Sequence, residues 1–145
     1  MKNNILILTV LMMVFSCSHQ PKTSYKEEAL LHKYLKKYHS DNIIHKDYSL
    51  MTYRTLGLCQ GQVCAGISLD TILAQEVKNK GNVELYVLFD KKEDLAKIKA
   101  KYGNTLHYLI GDSHIMDQYG IPRAVPAMFY FKNAKLIKWK QIDRY

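Results

Sequence analysis

The chain contains a nearly uninterrupted apolar run from Val83 to Phe89, and few folds can bury such a run. A run of this kind, rich in β-branched and aromatic residues, is typical of a strand covered on both faces of its sheet. Helical spacing of apolar residues precedes the run over Ile67–Lys80 and follows it from Asp90 to a stop at Gly103. Strands that alternate with helices predict an α/β protein whose central sheet carries helices on both faces.

Upstream of this run, the sequence predicts a helix and extended chain. Ser24 is expected to cap a helix over Tyr25–His39. The segment Ile43–Leu56 is predicted to be extended, either as one strand or as two strands joined by a turn at Lys46-Asp47. Residues Asp90–Glu93 match a variant of the capping box that opens the following helix.

Downstream, the pattern predicts one more strand, a short helix and two final strands. Thr105–Ile110 is predicted as a strand, and Ser113 is expected to cap a short helix that ends at Gly120. The last two strands, Met128–Phe131 and Leu136–Ile142, are so close in sequence that they must pair antiparallel. The predicted sheet is therefore mixed and ends in a C-terminal antiparallel hairpin.

The first residues have the features of an export signal. Met1–Asn4 is a short positive start, and the apolar run Ile5–Phe15 is shorter than the roughly 20 residues that span a bilayer. The end of this region, Val14–Cys17, resembles the lipobox of bacterial lipoproteins, in which the cysteine is acylated and becomes the first residue of the mature chain. The alternative is an ordinary cleaved signal that leaves Cys17 as a thiol. The lipoprotein interpretation implies attachment to a membrane through Cys17 in the bacterial cell envelope, facing the periplasm.

Length and composition predict a single folded domain after this leader. A chain of 145 residues with 48% apolar composition can bury a core without help from metals or disulfides. The predicted organisation is a signal peptide over 1–16, a lipidated tether over 17–23, and one domain with an N-terminal helix over 24–145. The formal charge of +8 invites a nucleic-acid interpretation. The lysines are dispersed and no recognition-motif spacing occurs, so we expect no nucleic-acid partner and assign the charge to lipid headgroups, an acidic partner or a solvated surface.

Three cysteines are an odd number for an exported chain, and assigning Cys17 to a lipid leaves the pair Cys59 and Cys64. Disulfides persist in exported compartments. Residues five apart on a helix rise about 7.5 Å and point about 140° apart, whereas Cα atoms of a disulfide are rarely more than about 7 Å apart. The segment Gln60–Gln62 must therefore form a turn if the two thiols are to bond.

The cysteine pair follows an extended segment, and Val125-Pro126 directly precedes the final strands, an arrangement that resembles the thioredoxin-like fold. Together with Tyr119–Ile121, these residues carry the resemblance, which covers about residues 48 to 142. The helix and strand between Asp90 and Ile110 resemble the insertion found in membrane-anchored, periplasm-facing thiol-disulfide oxidoreductases and in peroxiredoxins.

The resemblance implies roles for several residues. Pro126 would follow a cis peptide bond and face the cysteines, and the backbone of Val125 would hold an extended substrate segment; the alternative is a trans proline at the start of a strand. This chain departs from the family in its motif, because Cys59 and Cys64 are separated by four residues instead of two. No tryptophan precedes the pair, and no proline divides it.

Three functions remain open on this reasoning. The first is disulfide exchange with exported thiol or disulfide proteins, with Cys59 attacking and Cys64 resolving, without a cofactor. The second is a non-catalytic binding module in which the same two cysteines form a structural disulfide. The third is a copper carrier that binds Cu(I) through Cys59, Cys64 and His114, or through His107 in place of His114.

Overall fold

In a computed structural model of the protein, which describes residues 25–54, 69–123 and 126–142, the apolar run forms a buried interior strand of the sheet. The described helices are α1 (Lys26–Tyr38), α2 (Leu69–Asn79), α3 (Lys92–Tyr102) and α4 (Ser113–Gln118), with 3-10 helices at Asp41–His45 and Gly103–Thr105. The described strands are β1 (Tyr48–Tyr53), β2 (Glu84–Phe89), β3 (His107–Ile110), β4 (Ala127–Lys132) and β5 (Lys135–Gln141).

The five strands form one mixed sheet in the order β3-β2-β1-β4-β5. Strand β1 runs parallel to β2, which runs parallel to β3. On its other side β1 runs antiparallel to β4, and β4 runs antiparallel to β5. The turn between β4 and β5 consists of Asn133 and Ala134, both at positive φ.

Helices cover both faces of the sheet, as the buried run in β2 requires. On one face α1 and α4 pack through Leu35 and Met116 against Leu50 and Phe129. On the other face α2 and α3 pack through Leu73 and Ile98, together with Met51, Val87 and Met128 of the sheet. The predicted α/β class with a mixed sheet and helices on both faces is confirmed.

The segment before β1 differs from its prediction. Ile43 and Ile44 lie in the 3-10 helix rather than in a strand, and Lys46-Asp47 precedes β1 instead of joining two strands. Ser40 accepts a hydrogen bond from the backbone of Asn42, and Ile43 is buried in the core. Burial of one side chain under α1 thus outweighs the β propensity of two isoleucines.

Three predicted helix caps also lie elsewhere. The N-cap of α1 is Tyr25 rather than Ser24, and the N-cap of α3 is Lys91, with no side-chain cap in either case. The N-cap of α4 is Asp112 rather than Ser113, because the Asp112 carboxylate accepts a hydrogen bond from Ile115 at 3.0 Å. Asp90, expected to open a capping box, lies near α4 instead. Its carboxylate is 3.4 Å from the Ser113 hydroxyl.

None of the helices within the described ranges has the length and apolar character needed to cross a bilayer.

Candidate functional site at the carboxyl edge of the sheet

The three parallel strands end at one edge of the sheet, and a charged residue follows each of them. Arg54 comes directly after β1, Asp90 directly after β2, and Asp112 two residues after β3. Ligands of open α/β sheets bind at the carboxyl ends of the parallel strands. This carboxyl edge is therefore the candidate functional site.

Arg54 is the centre of the contacts at this edge, and only 4% of the residue is exposed. One terminal nitrogen donates to the backbone carbonyl of Ile121 at 2.8 Å. The other donates to the carbonyl of Ser113 at 2.7 Å and to its hydroxyl at 2.8 Å, and lies 2.8 Å from an Asp117 carboxylate oxygen. One guanidinium therefore fixes α4 and the chain after it against the end of β1.

The charge of Arg54 is compensated from two sides. Burial lowers the pKa of Arg54 from its ordinary value, and the Asp90 carboxylate opposes this effect. Arginine keeps its proton even in such surroundings. Asp117 also pairs with Arg123, whose side chain is 54% exposed. The edge thus contains one buried cation and one solvent-facing cation that share a carboxylate.

Tyr34 of α1 closes the face beneath this edge. Burial raises the pKa of its hydroxyl to about 12, against the opposing influence of Arg54, so the group stays protonated in the physiological range. A side chain at Gly111 would overlap the Tyr34 hydroxyl and would lie 2.8 Å from the Met116 sulfur. The absence of a Cβ at Gly111 therefore allows α4 to pack closely on α1.

Of the residues predicted to act in thiol exchange, only Pro126 is described. It directly precedes β4, whose first residue, Ala127, pairs with Thr52 near the end of β1. Its carbonyl accepts a hydrogen bond from the backbone of Ile142 at 2.7 Å. Cys17, Cys59, Cys64 and Val125 lie outside the described residues. The peptide bond between Val125 and Pro126 is outside them for the same reason.

The two histidines considered as copper ligands lie at opposite ends of β3. His114 is exposed in the first turn of α4, on the side of the carboxyl edge. His107 begins β3, and its ring stacks on Tyr86 with 4.6 Å between centroids. Among the described residues, no group of three histidine, cysteine or acidic side chains could hold a metal ion. Both cysteines of the copper set lie outside those residues, so that set stays a prediction.

Sequence reasoning missed Arg54 and the polar residues around it. Its partners Ser113 and Ile121 follow 59 and 67 residues later in the chain, so no local pattern indicates the contact. The one available signal was an arginine near the end of the segment Ile43–Leu56, which the sequence predicts to be extended. The exposed His114, singled out as a metal ligand, makes none of these contacts.

Comparison with known proteins gives no family for this chain. No protein-family model matches the sequence, and no curated protein matches it either. The function is therefore inferred from the geometry of the carboxyl edge and from the chain segments that connect to it.

Proposed function

We propose that the protein is a membrane-anchored, thioredoxin-like protein that exchanges disulfides with exported proteins through Cys59 and Cys64. The observation that supports this function is the position of Arg54 and Leu69, the described residues on either side of the segment 55–68, which contains both cysteines. This segment connects the end of the central strand β1 to the start of α2, and Pro126 directly precedes β4, which pairs with β1. The segment that contains the two thiols therefore begins at the carboxyl edge, where α/β proteins bind their ligands.

The pairing of the strands supports the finer, thioredoxin-like interpretation of the fold. Strand β1 lies between a parallel neighbour on one side and an antiparallel neighbour on the other. In this interpretation β4 and β5 are the C-terminal antiparallel hairpin, and Pro126 is the residue that faces the cysteines. The helix α3 and strand β3 then correspond to the insertion that we compared with the periplasm-facing oxidoreductases.

The proposed exchange conserves electrons within the two thiol pairs. The Cys59 thiolate attacks a disulfide of the substrate, so a mixed disulfide forms and one substrate thiolate leaves and takes up a proton. Cys64 then attacks the Cys59 sulfur and releases the second substrate thiol. After the reaction the protein holds a Cys59-Cys64 disulfide and the substrate holds two thiols. The reverse sequence oxidises the substrate.

Arg54 would contribute to this reaction as a positioning residue. It precedes the cysteine segment directly and ties the end of β1 to Ile121, five residues before Pro126. In our proposal it thus helps hold the strand end and the proline segment in register. Its two terminal nitrogens are occupied by Ser113, Ile121 and Asp117, so we do not assign it a contact with substrate.

Anchoring belongs to the same proposal. Acylation of Cys17 would leave a short tether over 17–23, and the folded domain would face the periplasm of a bacterial envelope. The pair Cys59 and Cys64 would then work in a compartment that permits disulfides.

The test is the reduction potential of the pair, measured by thiol trapping in a full chain that carries Cys17→Ser and therefore only two thiols. We expect a potential between about −270 and −120 mV, the range of exchange proteins. With a model disulfide substrate, Cys64→Ser should accumulate a mixed disulfide because the resolving thiol is missing, whereas Cys59→Ser should not.

A structural disulfide predicts a different pair of results. Its potential should lie below about −300 mV, and neither single variant should trap a substrate. This outcome would replace the exchange function by a binding module that carries a disulfide.

A further inference from the structure

A cleft of about 410 Å³ opens on the α2 face of the sheet, at the end opposite the carboxyl edge. Ser49 near the start of β1, Leu85 near the start of β2 and Lys80 just after α2 contribute to its lining. Small-molecule sites in proteins typically have volumes of about 300–1,000 Å³. The cleft therefore has the size of a ligand site, and it lies away from the residues of the proposed exchange reaction.

A buried carboxylate lies in the wall of this cleft. Glu76 follows Ile72 and Leu73 on the core-facing side of α2, where the helical pattern calls for an apolar residue, and it is 7% exposed. The Tyr130 hydroxyl lies 3.0 and 3.1 Å from the two carboxylate oxygens, and Lys140 Nζ lies 3.4 Å from one of them. A buried charge is costly unless such partners satisfy it. The pairing therefore fixes Tyr130 and Lys140 in place at the cleft.

The cleft carries more positive than negative charge. Lys80, Lys138 and Lys140 all line it, and the ammonium groups of Lys138 and Lys140 lie 5.9 and 6.0 Å from the centre of the Tyr130 ring. Within the described residues, no carboxylate lies at ion-pair distance from Lys80 or Lys138. Three lysines thus face the single carboxylate of Glu76, which Lys140 already pairs.

Apolar side chains complete the lining. Ile137 on β5 is 57% exposed, more than any other large hydrophobic residue among those described. Val83 and Leu85 add apolar surface to the same cleft. An apolar surface next to uncompensated cations matches a ligand that has both a charged group and a hydrocarbon part.

We propose that this cleft binds an organic anion, in which a phosphate or carboxylate group is attached to an apolar body. Lys80 and Lys138 contact the anionic group, because no described carboxylate pairs with either of them. Ile137 and Val83 contact the apolar body, and Glu76 holds Tyr130 and Lys140 as the fixed wall between these two regions. A soluble metabolite and the headgroup of an anionic lipid share this chemistry.

The test is calorimetric titration of the purified full chain with hexyl phosphate at 0.15 M salt. The double variant Lys80→Gln/Lys138→Gln should weaken binding about tenfold or more, because it removes both charge-assisted contacts to the anionic group. The matched control is Lys92→Gln/Lys99→Gln, which removes the same charge from exposed positions of α3 outside the cleft. This control should bind within about twofold of the unmodified chain, since distant surface charges are screened at that salt concentration.

A second pair of measurements tests the apolar part of the site. Ile137→Ala should weaken hexyl phosphate and leave inorganic phosphate unchanged. Sedimentation of chains that also carry Cys17→Ser, with phosphatidylglycerol vesicles compared with phosphatidylcholine vesicles, then identifies the source: a lipid ligand predicts vesicle binding that the cleft variant loses and the control keeps. Failure of hexyl phosphate to saturate, or equal weakening in the cleft and control variants, would overturn the proposal. Neither result bears on the reduction potential of the cysteine pair.

Discussion

A single side chain, Arg54, joins three parts of the molecule that are far apart in sequence. It ends the central strand, contacts the first residue of α4 through Ser113, and binds the carbonyl of Ile121 in the loop that follows α4. Removing a buried donor costs more than its hydrogen bonds contribute, because the acceptors it leaves behind lose their partner away from water. The stability of the carboxyl edge should therefore depend strongly on this one residue.

We predict that Arg54→Met lowers the free energy of unfolding by about 3 kcal/mol or more, because two backbone carbonyls lose their donor and Asp117 loses the more buried of its two cations. Urea titration of the purified protein measures the effect. The matched control is Arg123→Gln, since Arg123 pairs with the same Asp117 but has a side chain that is 54% exposed. We expect that change to cost less than about 1 kcal/mol. Equal losses in the two variants would show that burial does not set the strength of this contact.

At the scale of elements, the sequence predicted what repeats within one helix or strand and missed what depends on distant partners. The run Val83–Phe89 correctly predicted β2 and its burial on both faces, because a continuous apolar run is by itself typical of a strand covered on both sides. The strand predicted through Ile43 is a 3-10 helix, because packing beneath α1 decides its conformation. Asp112 rather than Ser113 caps α4. Aspartate and serine both cap helices, and these two residues are adjacent, so the sequence pattern does not distinguish them.

The turn between β4 and β5 is a place where replacing alanine by glycine should stabilise the protein, whereas the same replacement within a helix should destabilise it. Asn133 and Ala134 have φ of 50° and 60°, and alanine adopts this conformation less readily than glycine. We expect Ala134→Gly to stabilise the protein by roughly 0.5–1 kcal/mol, because it relieves backbone strain. The control is Ala96→Gly at an exposed position within α3, which should destabilise the protein by about 1 kcal/mol. Urea unfolding checks both, and a loss of stability in the turn variant would contradict the assigned strain.

For the whole molecule, two histidines on one face link stability to pH. The ring of His32 lies 5.2 Å from that of Phe131, and its buried Nε2 atom has no hydrogen-bond partner among the described residues. His39 lies beside Tyr34, with 3.4 Å between the ring nitrogen and the hydroxyl oxygen. Burial lowers the pKa of both histidines from the ordinary value of 6.5, and Glu28 partly opposes this effect for His32. The folded state therefore holds both rings neutral at pH values where the unfolded chain would protonate them.

We predict that the protein loses stability as the pH falls through 6.5, since the unfolded state then binds more protons than the folded state. Thermal unfolding between about pH 7.5 and 5.5 should show a falling midpoint. The double variant His32→Gln/His39→Gln should show a shallower dependence, and His114→Gln, which changes an exposed ring on α4, should follow the unmodified protein. An unchanged slope in the double variant would assign the dependence to other groups.

The two outer strands of the sheet influence whether copies of this chain aggregate at high concentration. An unpaired strand edge is a template for aggregation, and short strands or lysines on the edge oppose it. Strand β3 has only four residues, and β5 carries three lysines, Lys135, Lys138 and Lys140. Both ends of the sheet thus discourage the growth of sheets between molecules. Part of the excess positive charge therefore acts against self-association, and it does so whichever molecule the protein binds.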